Sequence, residues 1–92
     1  MPATNEHRQR AALDILAERE RQHVIRADAL DDKNRPADWI ACITAYAGRA
    51  IASLRDVRCY DDTSRAGYRQ MLVKVGALAL AAIEAHDKAT QP

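Results

Sequence analysis

The sequence predicts an all-α fold: an antiparallel three-helix bundle, completed by homodimerisation around a four-helix-type dimer core. Three observations carry this expectation. The longest apolar run, Leu72 to Ile83, exceeds strand length and repeats apolar residues at helical spacing. Gly and Pro are sparse, three of each, and no stretch alternates apolar with polar residues as a half-buried strand does. Two polar stretches, Asp28 to Pro36 and Arg55 to Thr63, divide the chain into three helix-length pieces. At 92 residues this is a single domain near the small end of what folds alone.

The first helix is expected over residues 5–27, capped by Thr4 or Asn5. Its apolar face is read as Leu13, Leu16, Ala17 and Val24. Arg35 precedes Pro36 and is pushed out of the α region, which ends the polar connection. Pro36 suits the first turn of a second helix, expected over 36–55, and Asp38 complements its dipole. Trp39, Ile40, Ile43, Ala47, Ala50, Ile51 and Leu54 form one apolar stripe of that helix. Ala41, Ala45, Gly48 and Ala52 form a second stripe of small residues. A third helix is expected over 64–88, with Tyr68, Met71, Leu72, Val75, Leu78, Ala79, Ala82 and Ile83 as its main face. Gly76, Ala77, Leu80 and Ala81 lie on its back.

Hydrophobic residues make up 48% of the chain, but only four are aromatic and none is Phe. An alanine-rich core is thin, and a second copy is a natural way to add burial. The small-residue backs of helices two and three are the surfaces expected to meet in a homodimer.

Net charge is +1 with 29% charged residues, which argues against an anionic nucleic-acid mimic and against a polybasic nucleic-acid binder. Arg49, Arg55, Arg58, Arg65 and Arg69 gather around the second loop. Only Tyr60 and Tyr68 are interleaved with them, so the patch reads as a partner-docking surface rather than a direct nucleic-acid contact. No apolar run reaches the ~18 residues of a membrane span and no signal-type segment opens the sequence, so a cytoplasmic protein is expected. Cys42 and Cys59 read as two reduced thiols.

An up-down-up order brings acids from separate stretches to one end: Glu18, Glu20, Asp31, Asp32, Asp38, Glu84 and Asp87. Like charges at close range repel unless a cation or Arg and Lys neutralise them. Carboxylate oxygens suit Mg²⁺ or Mn²⁺. The ordinary alternative is a solvated helix end. The three histidines have no Ser or Cys partner that would make a nucleophilic site.

The order of motifs resembles a group of small phage and prophage proteins. It runs Ala17-Glu-Arg-Glu-Arg-Gln22, Asp31-Asp32, Asp38-Trp-Ile-Ala-x-Ile-Thr-Ala-Tyr46, then Tyr68-Arg-x-Met-Leu-Val-Lys-Val-Gly-Ala-Leu-Ala-x-Ala-Ala-Ile-Glu84. That group is in turn similar to MazG-type all-α nucleotide pyrophosphohydrolases, which hold Mg²⁺ on acidic helix motifs and cleave nucleoside triphosphates. The resemblance implies catalytic roles for Glu18 and Glu84. It implies metal ligation by Glu18, Glu84, Asp87 and Asp32, the first three including an E-x-x-D pair, and substrate contact by Lys74 and Trp39. The E-E-x-x-E pattern of MazG is absent and Leu30 stands where the phage group has His. The competing expectation is therefore a phage-encoded protein-interaction module, such as an inhibitor of host defence of the anti-CRISPR type, acting on a host protein without catalysis.

Overall fold

The computed structural model describes residues 2–52 and 62–90, with side chains described for 5–24, 34–52 and 67–90. The described chain is all-α, with three helices and no strand: α1 (Pro2–Lys33), α2 (Pro36–Ala52) and α3 (Asp62–Thr90). No helix among the described residues is long and apolar enough to cross a membrane.

Two of the helices outrun their sequence-based bounds. α1 starts at Pro2, a residue suited to a first turn, and continues through Asp28–Lys33, which the polar composition assigned to a connection. No Gly or Pro interrupts those positions, and Ala29, Leu30 and Lys33 are good helix formers. Polarity alone does not end a helix. The break comes at Asn34 and Arg35, where Pro36 imposes it. α3 likewise extends to Thr90.

The start of α2 is capped reciprocally. The backbone N–H groups of Asp38 and Trp39 donate to the Arg35 carbonyl at 2.9 and 3.2 Å. The Asp38 carboxylate accepts from the Arg35 backbone N–H at 2.8 Å. This is the returning half of a capping box, and it satisfies a donor that the helix itself leaves orphaned. The same bond holds the Asp38 carboxyl below its usual range, with the Arg35 guanidinium adding a smaller pull.

α3 is the central element. It packs against α1 on one side and α2 on another, while the described backbones of α1 and α2 stay apart. On the α2 side, Trp39, Leu78 and Ala81 form a buried cluster, flanked by Cys42, Ile43, Tyr46, Ala82 and Ala85. Cys42 carries a free thiol. On the α1 side, Ile15 sits against Gly76. A Cβ at residue 76 would lie 2.9 Å from Ile15 Cδ1 and 3.1 Å from its Cγ1. Here glycine allows a close helix approach that any side chain would obstruct.

This packing changes two sequence-based assignments. The face of α1 turned to α3 carries Ile15 and the buried Gln22, whereas Leu13, Leu16 and Val24, assigned inward by periodicity, are exposed. The hollow at Gly76 accepts Ile15, and Asp14 and Arg19 on either flank find partners on α3 (below). Those local fits outweigh the leucine stripe. Second, the back of α3 is occupied by its own chain, with Ala77 and Ala81 buried and Gly76 under Ile15. The small stripe of α2, Ala41, Ala45, Gly48 and Ala52, is exposed, with nothing within 4 Å of a Cβ at Gly48.

Candidate functional site

Of the described acids that sequence reasoning drew to one end, Glu18 and Glu84 are held by arginines and Asp38 by a backbone donor, while Glu20 and Asp87 are exposed. On α1, Glu18 accepts from Arg21 Nε at 2.9 Å and Arg21 Nη2 at 2.6 Å, one turn further on. Gln22 Nε2 donates to the same carboxylate at 3.2 Å. The spacing of three and four residues along one helix makes this possible. The two-pronged bond from Arg21 holds the Glu18 carboxyl below its usual range, against the opposing effect of partial burial, and Lys74 on α3 adds a weaker pull. Arg21 is raised in turn.

Glu84 on α3 accepts from Arg19 on α1, with Nη2 at 2.8 Å and Nε at 3.2 Å. The Arg19 side chain is largely covered, and that of Glu84 is half open. Asp14 on α1 accepts from Arg69 Nη2 at 2.7 Å. The two pairs tie α1 to α3 at well-separated heights.

Lys74 and Arg49 both stand over the Tyr46 ring of α2, with Lys74 Nζ 5.8 Å and the Arg49 guanidinium carbon 4.7 Å from its centroid. Such contacts attract through the negative face of the ring. The result is a polar cluster of Glu18, Arg21 and Gln22 from α1, Lys74 from α3, and Tyr46 and Arg49 from α2. Sequence reasoning selected Glu18, Lys74 and Arg49 from this set and missed Arg21, Gln22 and Tyr46. The signal available for the first two was their spacing from Glu18. Nothing in the sequence placed Tyr46 beneath Lys74.

The remaining predicted residues divide as follows. Trp39 is buried in the core rather than presented on an open surface, and its Nε1 has no hydrogen-bond partner. It also forms one wall of a cavity of about 300 Å³ shared with Asn34, Pro36, Ile40 and His86. Asp87 is exposed near the end of α3. Arg69 pairs with Asp14 on α1, and Arg49 stands over the Tyr46 ring. Arg55 and Arg58, and the side chains of Asp32 and Arg65, lie outside the described residues.

Among the described residues, no three His, Cys, Asp or Glu side chains converge as a metal ion requires. Glu18 and Glu84 turn their oxygens to arginines. As arranged, the described residues do not fit a Mg²⁺ centre, which needs several hard oxygens around one point. No family model matches the chain, and neither a curated protein nor a solved structure matches it.

Proposed function

We propose that this chain is a small all-α interaction module that works as a homodimer. In this reading it is an antiparallel three-helix bundle whose apolar surface a second copy completes, with its polar outer face left to bind a host protein. The observation that supports it is the exposure of large apolar side chains: Leu13, Leu16, Val24, Ile40, Ile51 and Ile83 are all more than half exposed. Exposed apolar side chains that gather into a contiguous patch mark a surface for a partner. Inhibition of host defence is the kind of role such a module serves. The first test is the solution mass of the pure chain by sedimentation, expected at twice 10.2 kDa. A mass of one chain at every concentration overturns the homodimer. Expression in a host with an active defence system tests the role: phage plating should rise, and an unchanged plating efficiency removes that role.

A second reading is the Mg²⁺-dependent nucleotide pyrophosphohydrolase. It draws support from Glu18, a partly buried carboxylate held ionised with Lys74 nearby. It requires Arg21 and Arg19 to release Glu18 and Glu84, and no catalytic step is derived from the present arrangement. Pyrophosphate release from a nucleotide panel with Mg²⁺ or Mn²⁺, lost in Glu84→Gln, would establish it. Absence of release across the panel removes it.

A further inference from the structure

Charge is not settled evenly across the bundle. Along the α1–α3 seam, Asp14 pairs with Arg69, Glu84 with Arg19 and Glu18 with Arg21. Lys74 and Arg49 are left over. Among the described residues no acid forms an ion pair with either of them. Each stands instead over the Tyr46 ring, 5.8 and 4.7 Å from its centroid. Lys74 also acts on Glu18, and the Tyr46 hydroxyl acts on Arg21. Three cations and one carboxylate, from three helices, therefore gather around one half-buried ring.

Arg21 and Glu18 cancel, so the excess is the charge of Lys74 and Arg49. Like charges held together repel, and a ring face is a weak substitute for a counter-ion. A second observation points the same way. Gln22 is 7% exposed and its Nε2 donates to Glu18 at 3.2 Å, which fixes the orientation of the amide. Its Oε1 has no hydrogen-bond partner. Buried acceptors are nearly always satisfied by protein or by an ordered water. An orphan at this position marks the cluster as incomplete in the chain alone.

The missing group is an anion, and its charge identifies its class. A carboxylate brings one negative charge. A phosphate group brings close to two near neutral pH, with three or more strong acceptor oxygens. Arg49 offers a planar fork for two of them and Lys74 a mobile point charge. We propose that Lys74, Arg49 and the Arg21–Glu18 pair, arranged around Tyr46, form a binding site for the phosphate group of a small ligand, with Gln22 at its buried end. Glu18 limits the site by engaging Arg21. The site needs neither a second copy nor a metal ion, so its failure leaves the homodimeric reading standing.

The test is calorimetric titration of the full chain with inorganic phosphate and with ribose 5-phosphate, at fixed ionic strength and without divalent metal. One site per chain is expected. Lys74→Gln and Arg49→Gln should each raise the dissociation constant roughly tenfold or more, since each removes a charge-assisted bond. Arg8→Gln, on the exposed start of α1, should leave it unchanged. Glu18→Gln removes the opposing carboxylate and frees Arg21, so it should tighten binding. Equal affinity for the two probes identifies the free ion as sufficient, and tighter binding of the sugar phosphate identifies an esterified phosphate. Circular dichroism establishes that the variants remain helical. Should a variant unfold, NMR of the wild type replaces it: phosphate should shift the side-chain resonances of Gln22, Arg21 and Arg49. Absence of binding by both probes, shifts confined to other residues, or binding that Lys74→Gln and Arg49→Gln leave intact overturns the site.

Discussion

The two seams of α3 are built on different principles. Against α2, α3 presents Leu78, Ala81 and Ala82, and α2 answers with Trp39, Ile43 and Tyr46. That seam is a conventional apolar core, sealed enough that Trp39 is 3% exposed and Leu78 fully buried. Against α1, the contact depends on a missing side chain, Gly76 beneath Ile15, and on two cross-helix ion pairs at the flanks. It buries Gln22 rather than a large hydrophobe and leaves Leu16 and Leu13 open. The difference teaches that one seam closes over an apolar cluster, whereas the other joins through a close approach and ion pairs and leaves large apolar side chains exposed. An open apolar groove lies beside the second seam.

If the α2 seam carries the stability, Trp39→Ala should be the most damaging single change, by about 3–5 kcal/mol, because a fully buried aromatic leaves a cavity that neighbouring alanines cannot fill. Urea titration followed by circular dichroism measures it. A loss below about 1 kcal/mol would break the comparison.

The α1 seam is tested next by Gly76→Leu. Its side chain needs the space that Ile15 occupies, so overpacking of roughly 1–3 kcal/mol is expected, with a fall in helix content if α1 detaches. Trimming Ile15 to Ala in the same chain should restore part of the loss. Restoration places the clash at Ile15, and no restoration places it elsewhere.

The other helical glycine should behave oppositely. Nothing approaches Gly48, so Gly48→Ala is expected to stabilise by about 0.5–1 kcal/mol through helix propensity alone. A loss would mean that the open face of α2 is covered in solution, and would point to that face as an interface.

Acid titration separates the charged elements. The folded-state pKa of Glu18 is depressed, so the unfolded chain binds more protons below about pH 4.3 and stability falls as pH drops. Above that range the contribution is fully present. Glu18→Gln should flatten the fall in melting temperature as pH drops below the ordinary carboxylate range. Asp38, depressed chiefly by the Arg35 N–H, should leave part of the slope in place. An unchanged slope in Glu18→Gln would remove the Arg21 bond as a stabilising element.

The smallest effect is expected from the Arg19–Glu84 pair. One partner is half open to solvent, so a double-mutant cycle to Ala should yield a coupling of about 0.2–1 kcal/mol. A larger value would mean that the pair is covered, as it would be at the edge of a dimer.

Much of the fold was legible because it depends on local chemistry. Pro36 and the preceding Arg35 mark the only break within the described part of α1 and α2, and the apolar run Leu72–Ile83 lies within the central helix. Asp38 was recognised as a first-turn residue, and its capping bond is local. The misplaced face of α1 shows where such reading stops. Periodicity counts leucines and valines, but the face that packs is chosen by the hollow opposite, and that hollow lies 61 residues away at Gly76.

The candidate site divides along the same line. Glu18, Lys74 and Arg49 could be picked out as residues with usable chemistry, and the Arg21 bond to Glu18 follows from helical spacing. That Glu84 would meet Arg19, or that Lys74 would sit over Tyr46, was not available from any local pattern.

The sequence by itself determined that the chain is helical, roughly where its helices divide, and that α3 would be the element others cover. These follow from backbone propensity, proline geometry and apolar content, which act over a few residues. Only the tertiary structure decided which face of α1 turns inward, which arginine neutralises which acid, and that the Leu16–Ile83 ridge stays open. Those outcomes depend on shape and charge matched across distant segments, which no local pattern encodes. The central helix is covered by its own chain on two sides, and Leu72 and Ile83 stay exposed on its open flank.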